Sequence, residues 1–129
     1  MSAATVDIND LIGKPWQRDA RGPDAYDCWG LTRAILLRMR PDAVLPDWQV
    51  DGMTRERHTA IMAGASEVYG DRLSEPEPGA LLLSPRAAHI AIVVDRWVIT
   101  TRRKTGAVAV RLHEYLTRYP RTEVYRWRA

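Results

Sequence analysis

"DAYDCWGLTRAIL", residues 24–36, joins a polar loop to the clearest helical pattern in the chain and holds its only cysteine. From Cys28 onward, Leu31, Ala34, Ile35 and either Arg38 or Met39 recur at spacings of three and four, and Pro41 closes the run. The spacing predicts a helix of about 12 residues. Asp24 and Asp27 are the candidate caps, because a short carboxylate accepts the N–H groups that a first helical turn leaves without partners. The thiol therefore falls in the first turn, where those donors and their partial positive charge favour thiolate over thiol. Asp27 opposes that shift if its carboxylate faces the sulfur. A lone cysteine at a helix start also reads as a small packing residue, whereas a polar loop ending in Tyr26-Asp27 points to a cleft.

Outward from this stretch, DINDLIGKPW is an amphipathic turn or short helix ended by Pro15. QRDARGPDAYD is a loop marked by Gly22-Pro23. Past the helix, PDAVLPDWQVDG is a loop. Thr54 to Tyr69 forms a second, weaker helical pattern with Ile61, Ala65 and Val68 on one side. After the SEPEPG turn the period changes to that of strands: ALLLS, HIAIVV, WVITT and AVAVRL, punctuated by Pro85, Asp95-Arg96 and Thr105-Gly106. HEYLTRYP is a short helical turn, and TEVYRWR a last strand alternating Val124 and Arg126 against Tyr125 and Trp127. Helices followed by an antiparallel meander make an α+β layout, and residues 1–129 read as one domain.

The totals set limits. One cysteine excludes an internal disulfide framework and any multi-thiolate metal site. MSAATVDINDLIG lacks the basic and apolar regions of a signal peptide, so none is expected, and no apolar run is long enough to span a membrane. The net charge of +3 hides an asymmetry: residues 1–95 hold 10 basic and 14 acidic side chains, residues 96–129 nine basic and two acidic. The basic end suits an acidic partner surface. No helix-turn-helix, finger or RNP-like motif supports nucleic-acid binding.

A nucleophilic thiol needs a base within hydrogen-bond reach. His58 lies in the charged stretch TRERH, which reads as surface, and His113 follows the meander with no evident structural role. His89 opens the apolar strand HIAIVV and is the best placed of the three. With Asp95-Arg96 as a two-residue turn, Val94 faces Trp97, Ala91 faces Thr100 and His89 faces Arg102. His89, Ala91, Thr100 and Arg102 then share one sheet face. Thr100 lies diagonally across from His89, where its hydroxyl can accept from an imidazole N–H without supplying charge.

These residues carry a family resemblance. "YDCWGL" (26–31) resembles the nucleophile motif D-C-S/W-G-L/F of NlpC-type papain-like cysteine peptidases, with the tryptophan variant of phage tail members. "LIGKPW" (11–16) is similar to the family's lead-in, "EPGALLL" (77–83) to its P-G-D-L and following strand, "HIAIVV" (89–94) to its histidine motif, and "TGAVAVRL" to the strand after the third site position. The resemblance runs from about Leu11 to Leu112. It implies a small α+β papain-like fold with N-terminal helices packed on the antiparallel meander, Cys28 as nucleophile and His89 as base. It further implies Tyr26 lining an oxyanion hole to which the Cys28 N–H contributes, and needs no metal or cofactor.

The implied substrate is an amide bond in a peptidoglycan stem peptide. The implied setting is a phage tail tip, with other tail or baseplate proteins as partners and the virion tail, or the host cytoplasm during assembly, as location. Trp29 either walls a substrate groove or pins the helix to the core. Arg102 either attracts a substrate carboxylate or holds the imidazole neutral. The chain departs from the family at two positions: Thr100 stands where a His, Asn, Gln or Asp is usual, and Ala80 replaces the aspartate of P-G-D-L. A weak or inactive structural protein of a tail tip is therefore the alternative function.

Overall fold

The computed structural model describes residues 6–45, 60, 64, 70–84 and 89–128. Helix α1 spans Cys28–Met39. Strands β1 (Gly70–Leu73), β2 (Leu81–Ser84), β3 (His89–Val94), β4 (Trp97–Arg102) and β5 (Gly106–Arg111) follow, then helix α2 (Leu112–Arg118) and strand β6 (Glu123–Trp127). The helical pattern expected over Thr54–Tyr69 lies outside the described residues, except for Ala60 and Gly64, both helical. His58 lies outside them as well.

The strands form one antiparallel sheet in the order β1-β6-β2-β3-β4-β5. The meander expected from the sequence is β2 to β5. Its closing step differs, because α2 carries the chain back so that β6 inserts between β1 and β2. Strand β1 (GDRL) has no strand-like pattern of its own, since only Gly70 is buried. It is an edge strand held by β6, with Arg72 and Asp71 paired to Glu123 and Arg128. Charged edges of this kind limit pairing with other chains.

Two cores follow from the period-two alternation. On one face, Leu81, Leu83, Ile90, Ile92, Val94, Ile99, Tyr125 and Trp127 pack against Trp29, Leu31, Ile35, Leu36 and Met39 of α1. On the other, Leu82, Ala91, Val93, Val98, Val110 and Val124 pack against Tyr115 of α2. Each large side chain so buried contributes about 1.5–3 kcal/mol, and β2 is buried along its whole length.

Two glycines fix where the N-terminal segment meets this frame. Gly106 adopts φ +72°, and a Cβ there would lie 2.2 Å from the Lys14 carbonyl oxygen. That close approach lets Ala107 N–H reach Lys14 O and Gly13 N–H reach Ala107 O. Gly30 does the same for the loop before α1: a Cβ there would lie 2.2 Å from Ala20 O. The 17–26 loop is thereby pressed onto the first turn of the helix.

Candidate active site

The first turn of α1 is built around Asp27. Its carboxylate accepts the Gly30 N–H at 2.6 Å, as one of the two candidate caps would. It is also gripped by Arg21, whose Nη1 lies 2.9 Å from both carboxylate oxygens. Ala20 O takes the Asp27 N–H and Pro15 O that of Tyr26, so the loop cannot lift without releasing the cap.

Cys28, the next residue, is half-buried and carries a free thiol. Its sulfur lies beside the backbone N–H of Ile90, the residue after His89, and beside those of Trp29 and Cys28 itself. These donors favour the anion, as the helix-start argument requires, but they do not prevail. Loss of solvent, followed by the Asp27 charge, pushes the thiol up to about 11. The thiolate expected from the helix terminus alone is thus corrected to a neutral thiol at rest. The helix end does act on Cys28, in its first turn, but is outweighed by burial next to a carboxylate.

His89 heads β3 on the α2 face of the sheet. Its Nε2 lies 2.5 Å from Thr100 Oγ1, and Thr100 is itself buried at 2% exposure. The observed pairs Val94↔Trp97 and Ile92↔Ile99 are those of the expected register, and they carry Thr100 to the diagonal position beside the imidazole. Burial, then Arg102 and Arg118, lowers His89 to about 4. The imidazole is therefore neutral at neutral pH, with one nitrogen committed to Thr100.

Two residues that sequence reasoning missed complete the surroundings of His89. Tyr119 stacks on the imidazole with ring centroids 5.3 Å apart and planes 13° from parallel, and Tyr115 lies 6.3 Å away. Their four-residue spacing in the HEYLTRYP helix places them on one face and was the available signal. The Tyr115 hydroxyl is buried, and among the described residues it has no partner in hydrogen-bond geometry. Ser84 lies toward it, and burial raises its pKa. Thr122 Oγ1 donates to Tyr119 O, so in its 2.9 Å contact with Ser84 the serine hydroxyl is the donor.

The remaining candidates separate. Trp29 is 1% exposed and lies 6.3 Å from Trp127 in the α1 core. Of its two readings, groove wall and core pin, the structure holds to the second, since a side chain with no surface lines no groove. Tyr26 is buried at 6% exposure with its ring beneath Gly22, where a Cβ would meet the phenol oxygen. Arg102 lies on the Thr100 face, half-buried. His113 is exposed on α2. Among the described residues no cluster of His, Cys, Asp and Glu suits a metal ion, and no helix is long and apolar enough to cross a membrane. A hollow of about 450 Å³ lined by Met39, Arg40, Glu77 and Arg126 lies at the far end of α1, roughly 16 Å along the helix from Cys28.

No family model matches the chain, and no curated protein sequence matches it. Among solved structures, the fold is similar to that of NlpC1 from Trichomonas vaginalis, with a TM-score of 0.61 and 16% identity. The match covers 98% of this chain and 47% of that one, so this chain spans about half the neighbour's length. The small α+β fold expected from the motifs is the one observed: among the described residues, helices α1 and α2 pack against a six-stranded antiparallel sheet.

Proposed function

We propose that this chain is a thiol-dependent peptidase or amidase that hydrolyses an amide bond of peptidoglycan stem peptides and serves in a phage tail tip. One observation carries the chemical part: the Cys28 thiol lies beside the backbone N–H of Ile90, the residue that follows His89 in β3, and the His89 imidazole has its Nε2 held by Thr100. The substrate and the setting rest on the resemblance of YDCWGL and HIAIVV to phage tail members of the NlpC-type family.

With Nε2 occupied by Thr100, Nδ1 is the ring nitrogen left for the thiol. For Nδ1 to act as base, the proton must sit on Nε2 and donate to Thr100 Oγ1, so Thr100 selects the competent tautomer. Sγ then attacks the scissile carbonyl as its proton passes to Nδ1. The N–H groups at the start of α1 meet the charge that develops on the carbonyl oxygen. The imidazolium returns its proton to the leaving amine, and His89 next activates the water that hydrolyses the thioester. Because both partners rest neutral, this is general-base attack rather than reaction of a preformed thiolate. Tyr119 keeps the ring in plane through these transfers.

The test incubates the wild type and Cys28→Ala with purified murein sacculi and with a synthetic stem peptide. Product from the wild type alone is expected, and product from neither overturns the reading. A second reading, a tail-tip building block without activity, is favoured by a specific observation: the partner of His89 is a hydroxyl that offers the imidazolium no negative charge.

A further inference from the structure

Arg102 closes β4 two residues beyond Thr100, so alternation puts it on the same sheet face as Thr100, the partner of His89. Its Nε is buried and has no partner among the described residues. Arg118 reaches the same place from α2, its guanidinium 5.8 Å from the centroid of the Tyr119 ring that stacks on His89. The carboxylates that form ion pairs among the described residues do so with Arg21, Arg38, Arg72, Arg126 and Arg128. None pairs with Arg102 or Arg118. Two guanidinium groups flank the candidate base, one with a desolvated and unsatisfied nitrogen, and neither has a counter-ion from the described residues. An unsatisfied buried donor is costly unless a ligand completes it, and a guanidinium fork matches a carboxylate.

We propose that Arg102 and Arg118 form a carboxylate subsite that selects substrates bearing an anionic group on the leaving-amine side of the scissile bond. The side follows from the chemistry. His89 hands its proton to the leaving amine, so the part of the substrate attached to that nitrogen lies on the His89 side, where the two arginines are. An α-carboxylate is one carbon from that amine and so lies on the same side of the scissile bond. The chain is thereby directed to stem peptides that end at the residue released, or whose released residue carries a free carboxylate. The subsite rests on the reading of Cys28 and His89 as the reacting pair. The same arginines also disfavour the imidazolium, and a bound carboxylate relieves that effect when the proton must reside on His89.

The experiment uses the Cys28→Ala full-length chain and two probes, N-acetyl-L-alanyl-γ-D-glutamyl-L-lysine with a free C-terminal carboxylate and the same peptide as its carboxamide. Binding is followed by NMR at the His89 imidazole. The acid is expected to bind about tenfold more tightly than the amide. Arg102→Gln is expected to bring the two within about threefold, and Arg118→Gln to reduce the ratio less. Equal binding of acid and amide, binding of neither, or a ratio unchanged by Arg102→Gln overturns the subsite. The acid-to-amide comparison needs no arginine variant to fold. Discrimination by Cys28→Ala without turnover by the wild type establishes carboxylate binding at the two arginines and overturns both the hydrolytic reading and the leaving-amine assignment; turnover without discrimination overturns the subsite alone.

Discussion

His89 Nε2 and Thr100 Oγ1 meet at 2.5 Å in the buried layer between β3, β4 and α2, eleven residues apart in sequence. Thr100→Val keeps the shape and removes the oxygen, leaving a buried ring nitrogen without a partner. The variant should lose about 1–3 kcal/mol in urea unfolding. It should also lose most hydrolysis of a stem peptide, while Thr100→Ser retains both. Equal stability and equal turnover of Thr100→Val and the wild type would show that the contact orders nothing.

The titration of His89 has a stability consequence with a definite sign. Its folded value of about 4 lies below the ordinary 6.5, so between those values the unfolded chain binds more protons than the folded one. Stability is unimpaired above 6.5, falls as pH drops from 6.5 to 4, and levels off below. The full loss approaches about 3 kcal/mol. Urea unfolding at pH 7 and at pH 4 should show a smaller drop for His89→Gln than for the wild type.

Cys28 behaves in the opposite sense at the alkaline end. With the thiol held at about 11 against an ordinary 9.0, alkylation by iodoacetamide should be slow at neutral pH and rise with an apparent value near 11. The pH profile of kcat/KM for the proposed reaction should then be a broad plateau between limbs near 4 and 11. An alkylation midpoint below that of a free thiol would instead establish a preformed thiolate.

Asp27 can be divided into its two actions. Asp27→Asn keeps an oxygen for the Gly30 N–H but removes the charge beside Cys28, so the alkylation midpoint should move down. Asp27→Ala removes the cap as well and should cost about 1 kcal/mol more, read by thermal unfolding. The two variants shifting the thiol by different amounts would mean that the cap geometry, rather than the charge, governs it.

Gly30→Ala drives a methyl group into the Ala20 carbonyl and should displace the loop from the first turn. The expected loss is about 1–3 kcal/mol, together with hydrolytic activity. Gly64→Ala is the control: this helical, exposed glycine has open space at its Cβ, and the change should stabilise by about 0.5–1 kcal/mol.

The extent to which the chain is legible without its structure follows from where each signal is stored. The spacing of Leu31, Ala34 and Ile35 placed α1, and the turn at Asp95-Arg96 gave a register that brought Thr100 to His89, because periods of 3.6 and 2 are local properties. Edge strand β1 was not legible, since GDRL is a strand only through its pairing with β6. The insertion of β6 beside β2 was also hidden, because strand order depends on where α2 delivers the chain.

For the site, residue order and local period identified Cys28, His89 and Thr100 as candidates for one place. The protonation state of the first two depended on tertiary packing. A helix start argues for thiolate, and for His89 the sequence left open whether Arg102 holds the imidazole neutral. In the folded chain, burial and the Asp27 charge hold Cys28 as the thiol, and burial with the charges of Arg102 and Arg118 holds His89 neutral. Trp29 shows the same division: its position beside the thiol is written in the sequence, and its burial against Trp127, 98 residues later, is written only in the fold. Local patterns set element type and facing, whereas burial and long-range electrostatics exist only once the layers have closed.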